Sequence, residues 1–180
     1  HAQLVRTYYE EAKHHGNPRI LFSAHGLPEK IVKRGDPYQW QVEQTTRDVL
    51  RELGGEGGID YVNCYQSRVG PLEWLGPYTD AEIARAAREG RPIVLFPLAF
   101  VSEHSETLVE LDIDYRRLAE AGGAPAYLRV ATVGAAQVFI RGLATVIRDA
   151  LARPAATASS TGERVCPLGA ARCAMQGAAP

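Results

Sequence analysis

No run of about 18 apolar residues, the length needed to cross a bilayer, occurs in these 180 residues, and the first fifteen lack the apolar stretch that directs secretion. A membrane-spanning chain and an exported one are both disfavoured. A basic block is missing as well: Lys and Arg number 20 against 21 Asp and Glu, and no aromatic-basic stripe is present, so nucleic acid is not an expected partner. Cysteine is scarce and odd in number, at 64, 166 and 173. That argues against a secreted disulfide framework and for a reducing compartment, the cytoplasm. The chain opens without Met and already in a helical pattern, so it reads as a fragment of something longer.

What is present suffices for one sizeable core, because 46% of the residues are apolar and a chain of this length buries most of them in a single domain. Leu4, Val5, Tyr8 and Ala12 recur at helical spacing until Gly16-Asn17-Pro18, which predicts a helix over 2–15. Arg19 to Ser23 reads as a buried strand, broken at Ala24-His25-Gly26-Leu27-Pro28 so that His25 falls in the following turn. Asp36 before Pro37 caps a helix over 37–53. A strand over 59–65 follows, then Gln66-Ser67-Arg68 and a Gly/Pro-rich loop holding Trp74. Thr79 and Glu82 form a capping box for a helix over 80–89. Strands over 93–98 and 127–131 and helices over 103–121 and 135–152 complete the domain, 1–153. The tail, 154–180, is poor in large apolar residues and reads as loosely ordered. The alternation implies an α/β fold with an open, doubly wound parallel sheet of about four strands.

In such a sheet ligands bind beyond the carboxyl ends of the strands. His25, Gln66-Ser67-Arg68 with Trp74, and Phe100 to Glu106 all follow strands, so they converge on one edge. The stretch FPLAFVSEHSETLVELDIDY, Phe96 to Tyr115, is the densest in chemistry: an apolar run gives way to Glu103, His104 and Glu106, and carboxylates recur at Glu110, Asp112 and Asp114. At about 100° per residue, Glu103, Glu106, Glu110 and Asp114 lie within an arc of roughly 80° on one helix face. With no Lys or Arg between them on that face, such a ladder is mildly self-repelling and suits a cation path. A solvated helix face is the bland alternative. Imidazole with carboxylate suits divalent first-row metals such as Fe(II), and a neutral imidazole also accepts a proton near neutral pH. Cys64, inside a strand, reads as a buried filler.

Four ordered blocks, LFSAHGLP (21–28), RGDPY (34–38), YQSRVGPLEWLGPYTD (65–80) and LAFVSEHSETLVELDIDY (98–115), resemble the C-terminal half of the ferrochelatase family, which inserts Fe(II) into a porphyrin to make haem. The resemblance implies a chelatase-like domain and a lyase, with protoporphyrin IX or coproporphyrin III as the acceptor. No cofactor is required for the chemistry, Fe(II) being a substrate. His25 and Glu106 match the family's active-site His and catalytic Glu, both implicated in metal binding or proton acceptance. His104 and Glu110 match neighbours on a proton or metal path, on which Asp114 is the next carboxylate; Trp74 and Phe100 match residues near the macrocycle. The resemblance also implies a missing half-domain that supplies the opposite wall, peripheral contact with the inner membrane, and a homodimer. In the tail, Cys166 and Cys173 resemble iron-sulfur ligands of some members. Four thiolates cannot come from three Cys, so a [2Fe-2S] cluster would need ligands outside this chain; a degenerate remnant is the alternative. Two other functions stay open: a chelatase inserting cobalt or nickel into sirohydrochlorin, and a non-catalytic haem- or metal-binding module.

Overall fold

Strands form where the apolar runs fall. In the computed structural model, which describes every residue except 56, 154–156, 158 and 176–180, β1 (Arg19–His25), β2 (Asp60–Gln66), β3 (Ile93–Pro97) and β4 (Tyr127–Arg129) make one parallel sheet in the order β2-β1-β3-β4. Phe22 pairs with Asn63 of β2 and Phe96 of β3. The chain leaves β1 for β2 on one side and then crosses to β3 on the other, so the strand order reverses between β1 and β3. A crevice at the carboxyl ends of those two strands is where such a sheet receives a ligand.

Alternation along the strands sorts the core onto two faces. Ile20, Phe22, Val94 and Phe96 meet α1 (Ala2–Ala12) and α3 (Tyr38–Leu53) on one side. Leu21, Cys64, Ile93 and Leu95 meet α4 (Thr79–Arg88) and α5 (Tyr115–Ala121) on the other. The expected doubly wound architecture is thus present, and Cys64 is the buried filler anticipated, its thiol pushed up to about 12 by burial.

Several local expectations need correction. His25 is the last residue of β1 rather than a turn residue, because its strand continues in register as far as Gln66 of β2. A short helix, α2 (Glu29–Lys33), lies between Pro28 and Gly35; five residues carry too little periodicity to announce it. α3 starts one residue later than expected, with Pro37 rather than Asp36 at its N-cap, although the Asp36 carboxylate accepts the Tyr38 N–H at 2.9 Å. Thr79 does not cap α4: it is the first helical residue, and its buried hydroxyl lies 2.9 Å from that of Ser23 on the sheet. The helix expected over 103–121 begins only at 105 and is a π-helix over Thr107–Asp114 before continuing as α5. The terminal helix, α6 (Gln137–Leu151), has no buried residue at all.

Candidate active site

His25 follows Leu21 and Ser23 in strand parity, so its ring leaves the sheet on the face covered by α4 and α5. Glu106 comes to the same place from the helix after β3, and the two side chains meet at 3.8 Å between His25 Nε2 and Glu106 Oε1. The Gly26 carbonyl, 2.8 Å from His25 Nδ1, can only accept. The neutral ring therefore carries its proton on Nδ1 and presents the Nε2 lone pair to the crevice. The two side chains are 42% and 37% exposed; a pair that open contributes about 0–1 kcal/mol to stability. Stability does not explain its position, whereas access from solvent is what a reacting pair needs. Among the described residues no group of three His, Cys, Asp or Glu converges as a closed metal cage.

Behind this pair the expected ladder of carboxylates is divided among separate partners. Glu103 lies outside the helix, and the i→i+5 winding after it removes the 100° spacing on which the common face rested. Glu110 accepts the Ser67 N–H at 3.0 Å, the Ser67 hydroxyl at 2.5 Å and the Tyr115 hydroxyl at 2.7 Å. Tyr115 is five residues on, the π repeat, and its N–H bonds the Glu110 carbonyl. Burial and the Glu110 carboxylate both raise the Tyr115 phenol, so it stays a donor. Ser67, held this way, is the one non-glycine described with a left-handed backbone, φ 62°. Glu103 and Asp112 pair with Arg129 instead, at 2.8 and 2.6 Å, and Asp114 is exposed. His104 lies beside the Phe100 ring, centroids 6.2 Å apart, and its Nδ1 accepts the Glu106 N–H at 3.3 Å.

Trp74 reaches the edge from the Gly/Pro loop, which pairs with Leu27 and Glu29 through Leu75 and Glu73. Its ring lies on Gly26. A Cβ at that glycine would stand 2.8 Å from the Gln66 carbonyl and 3.2 Å from Trp74 Cε3, so only glycine lets the indole come so close beside His25. Tyr38 donates its hydroxyl to the His25 carbonyl at 2.8 Å. Each of the four sequence blocks thus contributes to the surroundings of one imidazole. Tyr38, Thr107, Tyr115 and Arg129 escaped the sequence reading. Tyr38, Tyr115 and Arg129 find partners 13, 5, and 17 and 26 residues away, spacings that no α-helical rule favours, whereas Thr107 bonds Glu103 and His104 only four and three residues back. The available signals were that local spacing and a charged Arg129 inside the apolar run of β4.

The family model described as Ferrochelatase matches residues 1–151. The chain belongs to the ferrochelatase family. It is 52% identical over 160 residues to the ferrochelatase of Caulobacter vibrioides, covering 89% of this chain and 46% of that protein. Similarity to the ferrochelatases of Phenylobacterium zucineum (48% over 176 residues; 98% of this chain, 50% of that one) and Hyphomonas neptunium (44% over 173; 96% and 48%) extends into the tail. The chain spans about half the length of these curated ferrochelatases.

Beyond the matched region, residues 164–173 form a turn that docks beside Gly35. The Arg164 guanidinium donates to the carbonyls of Cys166, Pro167, Leu168 and Ala170, and the Arg172 N–H bonds the Gly35 carbonyl at 3.0 Å. A Cβ on Gly35 would lie 2.5 Å from the Ala171 nitrogen, so this docking needs glycine there. Cys166 and Cys173 influence one another, the first thiol being raised and the second lowered. Cys64, sealed in the sheet, has no part in this pair. Two juxtaposed thiols fit half of a four-thiolate donor set. Among the described residues no helix is long and apolar enough to cross a membrane.

Proposed function

We propose that this chain is one wall of an active site that inserts Fe(II) into a porphyrin, protoporphyrin IX or coproporphyrin III, in haem synthesis. The observation that carries the reading is the facing pair His25–Glu106, 3.8 Å apart at the strand-order reversal, in a chain of the ferrochelatase family. Insertion exchanges two pyrrole protons for one Fe(II), so the site needs a proton acceptor and an anionic oxygen for a metal losing its water. In this reading the His25 Nε2 lone pair and a Glu106 oxygen first meet the metal; as it passes into the ring, the freed Nε2 lone pair takes one pyrrole proton and the Glu106 carboxylate takes the other. His104, Glu110 and Asp114 form the path along which protons or Fe(II) move, with Ser67 and Tyr115 fixing Glu110. Trp74 and Phe100 flank the macrocycle and favour a distorted ring.

The opposite wall comes from the half of the relatives' length that this chain does not span, and α6 is the element that meets it. The protein is assigned to the cytoplasm, with peripheral contact to the inner membrane where an apolar porphyrin accumulates; a homodimer is part of the same reading. The test is metal insertion by the full-length protein, with both porphyrins offered in parallel. Repeated turnover with Fe(II) supports the proposal. Stoichiometric haem or metal binding without turnover, or insertion only into sirohydrochlorin, refutes it.

Cys166 and Cys173 would hold one side of a [2Fe-2S] cluster completed by ligands from outside the chain. Such a cluster would supply structural cross-linking between the tail and the rest of the protein. Anaerobically prepared full-length protein is expected to contain iron and acid-labile sulfide and to lose both in Cys166→Ser. A preparation with neither, and no visible iron-sulfur absorption, would remove this part of the proposal.

A further inference from the structure

Arg129 stands on the edge strand β4, its side chain only 11% exposed. Its Nε and Nη2 donate to the two oxygens of Asp112 at 2.7 and 2.6 Å, and its Nη1 donates to Glu103 Oε1 at 2.8 Å. Those carboxylates bracket the segment that carries His104, Glu106 and Glu110. Glu103 is the hub of a further set of bonds. Its Oε1 accepts the Thr132 N–H at 3.1 Å, and its Oε2 accepts the hydroxyl of buried Thr107 at 2.8 Å, which itself accepts the His104 N–H at 2.8 Å. A second side chain of β4, Tyr127, donates to the Leu111 carbonyl at 2.7 Å.

A π-helix winds with fewer hydrogen bonds in its favour than an α-helix and occurs mostly as single turns, so eight residues of it need an external hold. One planar guanidinium ties Glu103, four residues before this segment, to Asp112 within its last turn. The fork is rigid and can serve two carboxylates at fixed angles at once, which an ammonium cannot. Burial pushes the Glu103 carboxyl up, but Arg129, the Thr132 N–H and the Thr107 hydroxyl outweigh it and hold it below the usual carboxylate range, so Glu103 is ionised at neutral pH.

We infer that Arg129 is a positioning residue for the metal-insertion site: by clamping Glu103 and Asp112 it sets the start and winding of the π-helix and so places Glu106 opposite His25. The inference rests on the functional reading given above and assigns Arg129 no contact with porphyrin or metal.

The test uses the full-length protein. Arg129→Lys keeps the charge but cannot hold both carboxylates, and kcat for Fe(II) insertion is expected to fall roughly 10- to 100-fold, with KM for porphyrin changing less than about 3-fold. In a Glu106→Gln background the same change should lower kcat no further, because it acts through Glu106. Glu103→Gln, which retains the Thr107 and Thr132 contacts, serves where Arg129→Lys folds poorly and should move kcat in the same direction. Tyr127→Phe removes the other β4 side-chain bond to the π-helix without touching Glu103 and is expected to lower kcat less than Arg129→Lys; an equal loss overturns the clamp. An Arg129→Lys enzyme with wild-type kcat, or losses that multiply with Glu106→Gln, would overturn the inference. A readout independent of turnover separates its failure from that of the functional reading: the ring-nitrogen resonances of His25 should shift in Arg129→Lys as they do in Glu106→Gln. If the wild-type protein inserts no iron, the functional reading falls, and these resonances alone decide whether the clamp places Glu106. Unchanged resonances sink the clamp whatever the activity.

Discussion

The His25 backbone and the His25 ring serve different ends. Its carbonyl accepts the Tyr38 hydroxyl, and its strand position is set by pairing with Gln66; neither needs the imidazole. The ring is 42% exposed and spends one nitrogen on the neighbouring Gly26 carbonyl. His25→Ala should therefore leave the fold intact, with a stability change within about 1 kcal/mol, while kcat for insertion in the full-length protein falls by roughly 100-fold or more through loss of the proton acceptor. Parallel thermal melts and turnover measurements check both halves of the expectation. A variant that melts like wild type and turns over like wild type removes His25 from the chemistry. Trp74 beside it is constrained by packing rather than by polar bonding, since its buried Nε1 has no partner among the described residues. Its close seat on Gly26 places the indole against the residue that follows His25.

The element that decides the site's geometry is the π-helix with its approach, and the hold on its first end depends on pH. Glu103 has a folded-state value held below that of an unfolded Glu, about 4.3, chiefly because Arg129 and its hydrogen-bond donors outweigh burial. A group lowered on folding contributes stability that is fully present above the unfolded value and is lost as the pH falls through the folded one. Wild-type protein should thus melt above Glu103→Gln by a constant margin at pH 6 to 8, and the margin should shrink below about pH 4. Thermal midpoints of the two proteins across that range provide the check; a margin that persists unchanged into acid would show that the carboxylate's charge contributes nothing. The same element marks where the sequence was readable and where it was not. The strands, the doubly wound sheet and the placing of His25 and Glu106 at one sheet edge follow from apolar runs and turn residues, which are local signals; the pairing of the two was implied by the family resemblance, and the strand order came only with the structure. The common face for Glu103, Glu106, Glu110 and Asp114 assumed α-helical winding from residue 103. Tertiary partners overrode it: Arg129 arrives from 17 and 26 residues away and Ser67 from 43. Thr79 shows the same effect at α4, where a hydroxyl with good capping chemistry is spent on Ser23 across the sheet.

At the scale of the whole molecule, the feature that the fold leaves unfinished is α6. Its residues Val138, Phe139, Leu143 and Val146 line a groove of about 820 Å3 against α1 and α3, away from His25 and Glu106. A second stripe of Ile140, Ala144, Ile147 and Leu151 runs on at helical spacing. No residue of the helix is buried, and Leu151 is 82% exposed. A helix apolar on so much of its circumference is built for burial, and fifteen residues are at the margin of what holds as an isolated helix in water. The curated relatives are about twice this chain's length, and under the functional reading proposed above the half that this chain does not span is the proposed partner of both stripes. Burying Ile147 and Leu151 would contribute about 1.5–3 kcal/mol each, and placing a carboxylate there would cost more. Ile147→Asp with Leu151→Asp should therefore weaken association of the two separately produced halves by at least roughly 100-fold, measured by sedimentation. It should also lower the thermal midpoint of the full-length protein while leaving the circular dichroism of this half nearly unchanged. The competing occupant is a second copy of the chain. If the isolated half sediments as a dimer through α6, and that dimer persists once the other half is joined, the surface belongs to self-association and the opposite wall of the crevice is held elsewhere.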